Sequence, residues 1–132
     1  ASNLPILLKS ITELNYPNAL FEILLVNDSS NDNSEKIISK FSKKHPLLNI
    51  SILKNNRNSN SPKKDAINTA INNSKFDWIL TTDADCEIST NWLLSLNSFI
   101  QKKQPYLIAG PVKLKANNSF LSHFQNLNFI SL

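Results

Sequence analysis

Short apolar runs alternate with amphipathic, helix-length segments along the whole of this 132-residue sequence. An apolar run without polar alternation is typical of a strand that is covered on both faces in a parallel sheet. The four runs are Phe21–Val26, Ile50–Leu53, Trp78–Leu80 and Tyr106–Ala109. Because strands that alternate with helices build a layered fold, we expect an α/β architecture with a mainly parallel sheet and flanking helices.

Apolar residues at three- and four-residue spacing mark the helical segments. The expected helices are Leu4–Leu14, a segment that ends before His45, a segment that Ser61 and Pro62 open, Asn91–Lys102, and the sequence from Ser119 onward. In the second helix, Asp32 is expected to cap the start, with Glu35 completing a capping box. The buried stripe expected for the third helix consists of Ala66, Ile67, Ala70 and Ile71.

The composition is that of one folded domain with a modest positive charge. Hydrophobic residues make up 41% of the chain and charged residues 18%, which is too apolar for intrinsic disorder. The net charge of +4 favours anionic ligands. The lysines are dispersed, however, and no basic-aromatic stripe is present, which argues against a nucleic-acid-binding module. The single cysteine, Cys86, excludes an internal disulfide and a cysteine-based zinc cluster.

Acidic residues follow two of the predicted strands. Asp28 comes just after the first apolar run, and Asp83 and Asp85 come at the end of the run that begins at Trp78. In open α/β sheets, ligands bind beyond the carboxyl ends of the strands. On an extended backbone, Asp83 and Asp85 would project to the same side. The sequence therefore predicts an acidic rim at one edge of the sheet.

Two interpretations of the Asp83 and Asp85 pair stay open on spacing alone. A hard divalent cation such as Mg²⁺ or Mn²⁺ prefers oxygen ligands and commonly binds through one or two carboxylates and substrate phosphates. Aspartate is equally favoured in a turn that ends a strand. The other candidate groups are weaker: His45 and His123 lack a paired acid in the sequence, and Cys86 is typical of a small packing residue.

Several motifs, in the same order, resemble those of the family 2 glycosyltransferases, which are nucleotide-sugar enzymes with a GT-A fold. Residues 26–32 are similar to the family's Val-Asp-Asp-Gly-Ser-x-Asp element, residues 63–68 to its Gly-Lys-x-x-Ala-Leu-Asn helix start, and residues 82–86 to its Asp-X-Asp segment. Three residues depart from this pattern: Asn27 replaces the first aspartate, Ser29 the turn glycine, and Pro62 the glycine before the lysine. The resemblance covers essentially the whole chain and implies a Rossmann-like GT-A sheet.

The resemblance implies a nucleotide-sugar-binding role for four residues. Asp28 would contact the nucleotide base, and Lys64 would lie near the nucleotide, with Lys63 as the less favoured partner. Asp83 would contact the ribose or the metal region. Asp85 would bind Mn²⁺ or Mg²⁺ and, through it, the diphosphate.

The implied activity is transfer of a sugar from a nucleotide-diphosphate donor to an acceptor hydroxyl, assisted by a metal and inverting. The acceptor would be a saccharide or a lipid-linked molecule. No residue of the sequence is a convincing general base. The resemblance implies that the base belongs to a later motif and that a first strand precedes Ala1. We therefore expect residues 1–132 to be an internal part of one catalytic domain, inactive by itself.

Two alternatives have distinct sequence requirements. A nucleotidyltransferase of related fold needs a glycine-rich phosphate loop, whereas Gly110 is the only glycine. A receiver-like acidic-pocket module would use Asp28 or Asp83 and needs a later lysine, for which Lys113 is the candidate. For the glycosyltransferase that the resemblance implies, we expect a cytoplasmic protein, or one at the cytoplasmic face of a membrane if a C-terminal part associates with lipid.

Overall fold

The computed structural model describes residues 3–110 and residue 112. In chain order the elements are α1 (Leu4–Thr12), β1 (Ile23–Asn27), α2 (Ser34–Lys44), β2 (Ile50–Lys54), α3 (Pro62–Ile71) and α4 (Trp92–Lys103), with a 3₁₀ turn at Asn18–Leu20. The chain divides into two compact units, Ala1–Ser98 and Phe99–Leu132. The helix predicted from Ser119 onward lies outside the described residues.

Strands β1 and β2 form a parallel pair that α2 connects. Their register runs from Ile23 opposite Ile50 to Asn27 opposite Lys54. The N–H of Asn55 continues this ladder by donating to the carbonyl of Asn27 at 2.8 Å. The carboxyl ends of both strands therefore meet at one edge, as the sequence predicts for a parallel sheet.

The core of the first unit lies where α1 and α2 meet the sheet. Leu4 and Leu8 of α1 pack with Ile38 of α2, and partly buried apolar residues surround this cluster: Leu25, Ile37, Phe41 and Ile50. Helix α3 packs against both strands. The expected α/β layer with a parallel sheet and flanking helices is thus confirmed.

Two of the four predicted strands are wrong. Trp78, Ile79 and Leu80 are 41%, 37% and 36% exposed and form no strand in the described part of the chain. In the second unit, Tyr106 and Leu107 are also exposed, and residues 106–109 form no strand. A strand exists only through hydrogen bonds to a neighbour, and these two runs pair with no strand among residues 3–110 and 112. These two runs therefore have the composition of a strand, but a neighbouring strand to pair with is not found among the described residues.

Smaller differences concern burial and helix ends. Every residue of β1 is half-buried rather than covered on both faces. Asp32 caps the start of α2 as expected, since its Oδ1 accepts from the N–H of Ser34 at 2.9 Å. Glu35 does not complete a capping box and accepts a hydrogen bond from the side chain of Asn27. Ile71 is 45% exposed, whereas Asp65 is the fully buried residue of α3. None of the helices in the described residues combines the length and apolar character that crossing a bilayer requires.

Candidate functional site

Asp28 lies directly after β1 and is held by two side chains. Arg57 forms a bidentate pair with it, with Nε donating to Oδ1 at 2.7 Å and Nη2 donating to Oδ2 at 2.6 Å. The amide of Asn55 donates to Oδ1 at 2.7 Å. The hydrogen bonds from Arg57, and next those from Asn55, hold the pKa of Asp28 below its ordinary value. The carboxylate is therefore ionised and fixed in orientation.

The parallel register explains why Asn55 reaches Asp28. Residue 27 is opposite residue 54, so the residues that follow each strand become neighbours at the carboxyl edge. Asn55 is only 9% exposed. Its amide also donates to the carbonyl of Pro62 at 3.1 Å. One buried side chain thus ties the end of β1 to the first residue of α3.

The start of α3 contacts the second acidic segment through Lys63. Its Nζ donates to Oδ1 of Asp83 at 2.9 Å. This hydrogen bond, together with the negative charges of Asp83 and then Asp85, raises the pKa of Lys63. Both partners are largely exposed, so the pair orients the two side chains more than it stabilises the fold.

Lys63, rather than Lys64, is the lysine that the structure brings to the acidic pair. Lys64 is exposed and takes no part in an ion pair with the described residues. Successive helical residues point about 100° apart, so only one of two neighbouring lysines can face Asp83. The resembled motif agrees, since it sets its lysine three residues before the alanine, and Lys63 stands three residues before Ala66.

Asp83 and Asp85 lie in a turn, not on the extended backbone that the sequence predicts. The N–H of Cys86 donates to the carbonyl of Asp83 at 3.1 Å, which closes a four-residue turn. The expectation that strand alternation places both carboxylates on one side is therefore wrong. Lys63 bonds Asp83 directly, and Asp85 exerts a weaker attraction on the same lysine.

The residues present fit a magnesium or manganese ion only in part. Among residues 3–110 and 112, no group of three or more His, Cys, Asp or Glu side chains could surround a metal ion. Asp83 and Asp85 supply two exposed carboxylates, which is the donor set of an ion that completes its shell with phosphate oxygens and water. The assignment of Asp83 and Asp85 as metal ligands therefore stays a prediction. In it, phosphate oxygens of the substrate supply the further ligands of the ion.

The turn after β1 shows how the chain accommodates two departures from the family pattern. Ser29 has a φ of 61°, a left-handed conformation that favours glycine. Asn27 supports this turn, because its Oδ1 accepts from the N–H of Ser30 at 2.9 Å and its Nδ2 donates to Glu35 at 2.6 Å. The asparagine thus braces the loop in which Asp28 lies.

Three residues of the site were not predicted: Asn55, Arg57 and Asp65. Asp65 is 3% exposed, and its carboxylate accepts hydrogen bonds from the loop that carries Arg57. The sequence could have indicated Asn55 and Arg57, because they follow β2 and so lie at the same carboxyl edge of the sheet as Asp28. The ring of His45 packs 4.5 Å from that of Phe41, and His123 lies outside the described residues.

Comparison with known proteins begins with a family model. The model described as "Glycosyl transferase family 2" matches residues 1–129. The chain is 28% identical over 128 residues to the poly-beta-1,6-N-acetyl-D-glucosamine synthase of Staphylococcus epidermidis, covering 95% of this chain and 29% of that protein. It is 24% identical over 98 residues to a beta-monoglucosyldiacylglycerol synthase of Nostoc, covering 74% of this chain and 20% of the relative. The chain therefore spans less than a third of the length of either relative.

The structural comparison agrees in fold. A crystal structure of S. aureus TarS 1-349 in complex with UDP-GlcNAc superposes with a TM-score of 0.67 at 21% identity, covering 88% of this chain and 35% of the other. This likeness shows a GT-A arrangement of the sheet and its helices. Since the family model spans nearly the entire sequence and the fold agrees, the chain belongs to glycosyl transferase family 2.

Proposed function

We propose that this chain is the donor-binding part of an enzyme that moves a sugar from a nucleotide-diphosphate donor to an acceptor hydroxyl. One observation carries the proposal: a continuous series of contacts runs from Asp28 through Asn55 to the start of α3, and from Lys63 to Asp83. At one end is a carboxylate suited to a nucleotide base. At the other end are a lysine suited to a diphosphate and two carboxylates suited to the metal ion that binds it.

The base end of this series offers complementary hydrogen-bonding groups. Asp28 is an acceptor and Arg57 a donor, and they lie side by side in a bidentate pair. A uracil or guanine edge has an N–H donor next to a carbonyl acceptor, so either base matches such a pair. Structures of S. aureus TarS hold UDP and UDP-GlcNAc. Uridine diphosphate is accordingly the first ligand to test.

The diphosphate end combines positive charge with metal-binding oxygens. Lys63 would contact the phosphates, and Asp83 and Asp85 would hold Mn²⁺ or Mg²⁺. When bound, such an ion acts as a Lewis acid toward the leaving diphosphate. Lys63 would add a positive charge near the same leaving group, since an exposed lysine is protonated at neutral pH.

In the proposed reaction, the acceptor oxygen bonds to the anomeric carbon while the bond from that carbon to the diphosphate oxygen breaks. A single displacement of this kind inverts the anomeric configuration. The hydroxyl proton passes to a general base that we place outside the described residues. The chain's own residues bind and orient the donor.

The names of the relatives support the proposed acceptor, whereas the location stays a prediction from the sequence. The relatives are named for synthesis of a polysaccharide and of a glucosyl-diacylglycerol. We therefore infer a saccharide or lipid acceptor, and we propose a protein in the cytoplasm or at the cytoplasmic face of a membrane. Cell fractionation followed by immunoblotting checks the location. A receiver-like role is less well supported, since the family model that matches residues 1–129 is that of a glycosyltransferase family.

The test is calorimetric titration of the full-length protein with UDP, with and without Mn²⁺ or Mg²⁺. We expect binding that depends on the metal and that Asp85→Ala weakens at least tenfold. Undiminished binding by this variant would overturn the metal assignment, and no binding by the wild type would overturn the proposed function. The pair Lys63→Ala and Lys64→Ala is matched in charge and exposure, and we expect the larger loss for Lys63→Ala.

A further inference from the structure

Asp65 is a buried carboxylate whose hydrogen bonds run back into the loop before α3. It is 3% exposed although it lies in the first helical turn. Its Oδ2 accepts from the N–H of Asn58 at 3.0 Å and of Ser59 at 2.8 Å, and its Oδ1 accepts from the hydroxyl of Ser59 at 2.9 Å. An acid that serves only the helix dipole is usually exposed to water. Asp65 instead folds the loop onto the helix.

The loop between β2 and α3 is held on both sides of Arg57. Before it, Asn55 bonds Asp28 and the carbonyl of Pro62, and the N–H of Asn56 donates to Oγ1 of Thr69 at 3.2 Å. After it, Asp65 holds the backbone at Asn58 and Ser59. Without Asp65, the exposed segment after Arg57 would gain freedom to move, with a gain in chain entropy. The guanidinium of Arg57 would then be held toward Asp28 from one side of the loop only.

The charges of Asp28 and Asp65 also favour the observed position of Arg57. Arg57 forms its ion pair with Asp28, whose hydrogen bonds raise the pKa of the guanidinium, and Asp65 adds a weaker attraction. Hydrogen bonds, of which the one from the N–H of Ser59 is the strongest influence, lower the pKa of Asp65. The group is therefore charged at neutral pH even though it is buried.

We propose that Asp65 is a positioning residue of the donor pocket, which sets the place of Arg57 and so the geometry of the Asp28 and Arg57 pair. This inference rests on the proposed function, because it assigns the pair to the nucleotide base. The resembled helix-start motif leaves position 65 unspecified, so the assignment comes from the burial and the contacts alone.

If Asp65 positions Arg57, then Asp65→Asn should weaken the binding of UDP but not that of pyrophosphate. Asp65→Asn keeps the size of the side chain but removes its charge and one acceptor oxygen. In metal sites, substitution of a residue that orients a ligand side chain typically costs about 10- to 100-fold in affinity, and Asp65 has the analogous relation to Arg57. We expect a loss of this order for UDP in the presence of Mn²⁺. Inorganic pyrophosphate with Mn²⁺ should bind as tightly as it does to the wild type, because it lacks the base that Asp28 and Arg57 contact.

The experiment is calorimetry on the full-length protein with both ligands and with a double-mutant cycle. Arg57→Ala should weaken UDP binding by itself, and adding Asp65→Asn to it should bring no further loss, because both changes disable the same contact. Asn60→Ala, which alters an exposed residue of the same loop, is the control and should leave UDP binding unchanged. If Asp65→Asn does not fold, Ser59→Ala removes one of the three hydrogen bonds and should give a smaller loss, again for UDP and not for pyrophosphate.

The outcomes separate the two proposals. Absence of UDP binding by the wild type overturns the proposed function and this inference with it. UDP binding by the wild type together with equal affinity of Asp65→Asn overturns the positioning role alone. Equal losses for UDP and pyrophosphate, or full additivity with Arg57→Ala, would identify Asp65 as a general structural residue and would also overturn it.

Discussion

Replacing Ser29 by glycine should stabilise the protein, although it removes a side chain. Ser29 has a φ of 61°, and holding a residue with a Cβ in the left-handed region costs about 1 to 2 kcal/mol. Glycine loses about 0.5 to 1 kcal/mol more backbone entropy on folding. The hydroxyl of Ser29 is exposed and forms no hydrogen bond with the described residues. The net expectation for Ser29→Gly is therefore a stabilisation of about 0.5 to 1 kcal/mol.

Urea unfolding followed by tryptophan fluorescence measures this effect, since Trp78 and Trp92 lie in the described region. With a slope of about 2 kcal/mol/M, the midpoint should rise by about 0.3 to 0.5 M. The matched control is Ser30→Gly, because Ser30 has no positive φ and its backbone N–H bond to Asn27 is retained. The control should lower the midpoint. If Ser29→Gly lowers it as much as Ser30→Gly does, the reasoning from backbone strain is refuted.

Two further changes probe the core and the site. Leu8→Ala removes a side chain that is 1% exposed in the α1 core and should cost about 2 to 5 kcal/mol in the free energy of unfolding, whereas Leu47→Ala, at a position that is 81% exposed, should change it by less than about 0.5 kcal/mol. Comparable values for the two variants in denaturant titrations would contradict the assigned core. Asp28 has a pKa below its ordinary 3.8, so its stabilisation is present above pH 3.8 and is lost as the pH falls through the lower, folded-state pKa. The stability difference between wild type and Asp28→Asn should accordingly be constant at neutral pH and shrink in acid, and a difference that grows in acid would reverse the assigned sign.

The sequence predicted those elements whose evidence is local. The helical spacing of Leu4, Leu7, Leu8 and Ile11 identified α1, and all four are buried in the structure. The run before Asp28 became β1 because β2 lies beside it. The equally apolar run at Trp78 did not become a strand, since pairing depends on a neighbour that composition does not reveal.

The candidate site was predicted in outline but not in its contacts. A general property of parallel sheets indicated Asp28, because ligand sites form at carboxyl ends. The strand expected before Asp83 does not form, and the contact with Lys63 links Asp83 to the start of α3. The selection of Lys63 over Lys64 depends on helix phase and on the course of the chain between residues 71 and 83, which no periodicity encodes. In the sequence, Asp65 looks like any acidic residue in the first turn of a helix. Its burial is what distinguishes it from such a residue.

The Asn27 and Glu35 contact makes these two positions dependent on each other during evolution. The amide of Asn27 donates to the carboxylate of Glu35 at 2.6 Å. An aspartate at position 27, as in the resembled motif, would bring two anions to that distance and would lose the donor. Substitution of Asn27 by aspartate should therefore be tolerated better when residue 35 is neutral or basic than when it is Glu35. The amino acids that are compatible with the fold at these two positions are thus coupled.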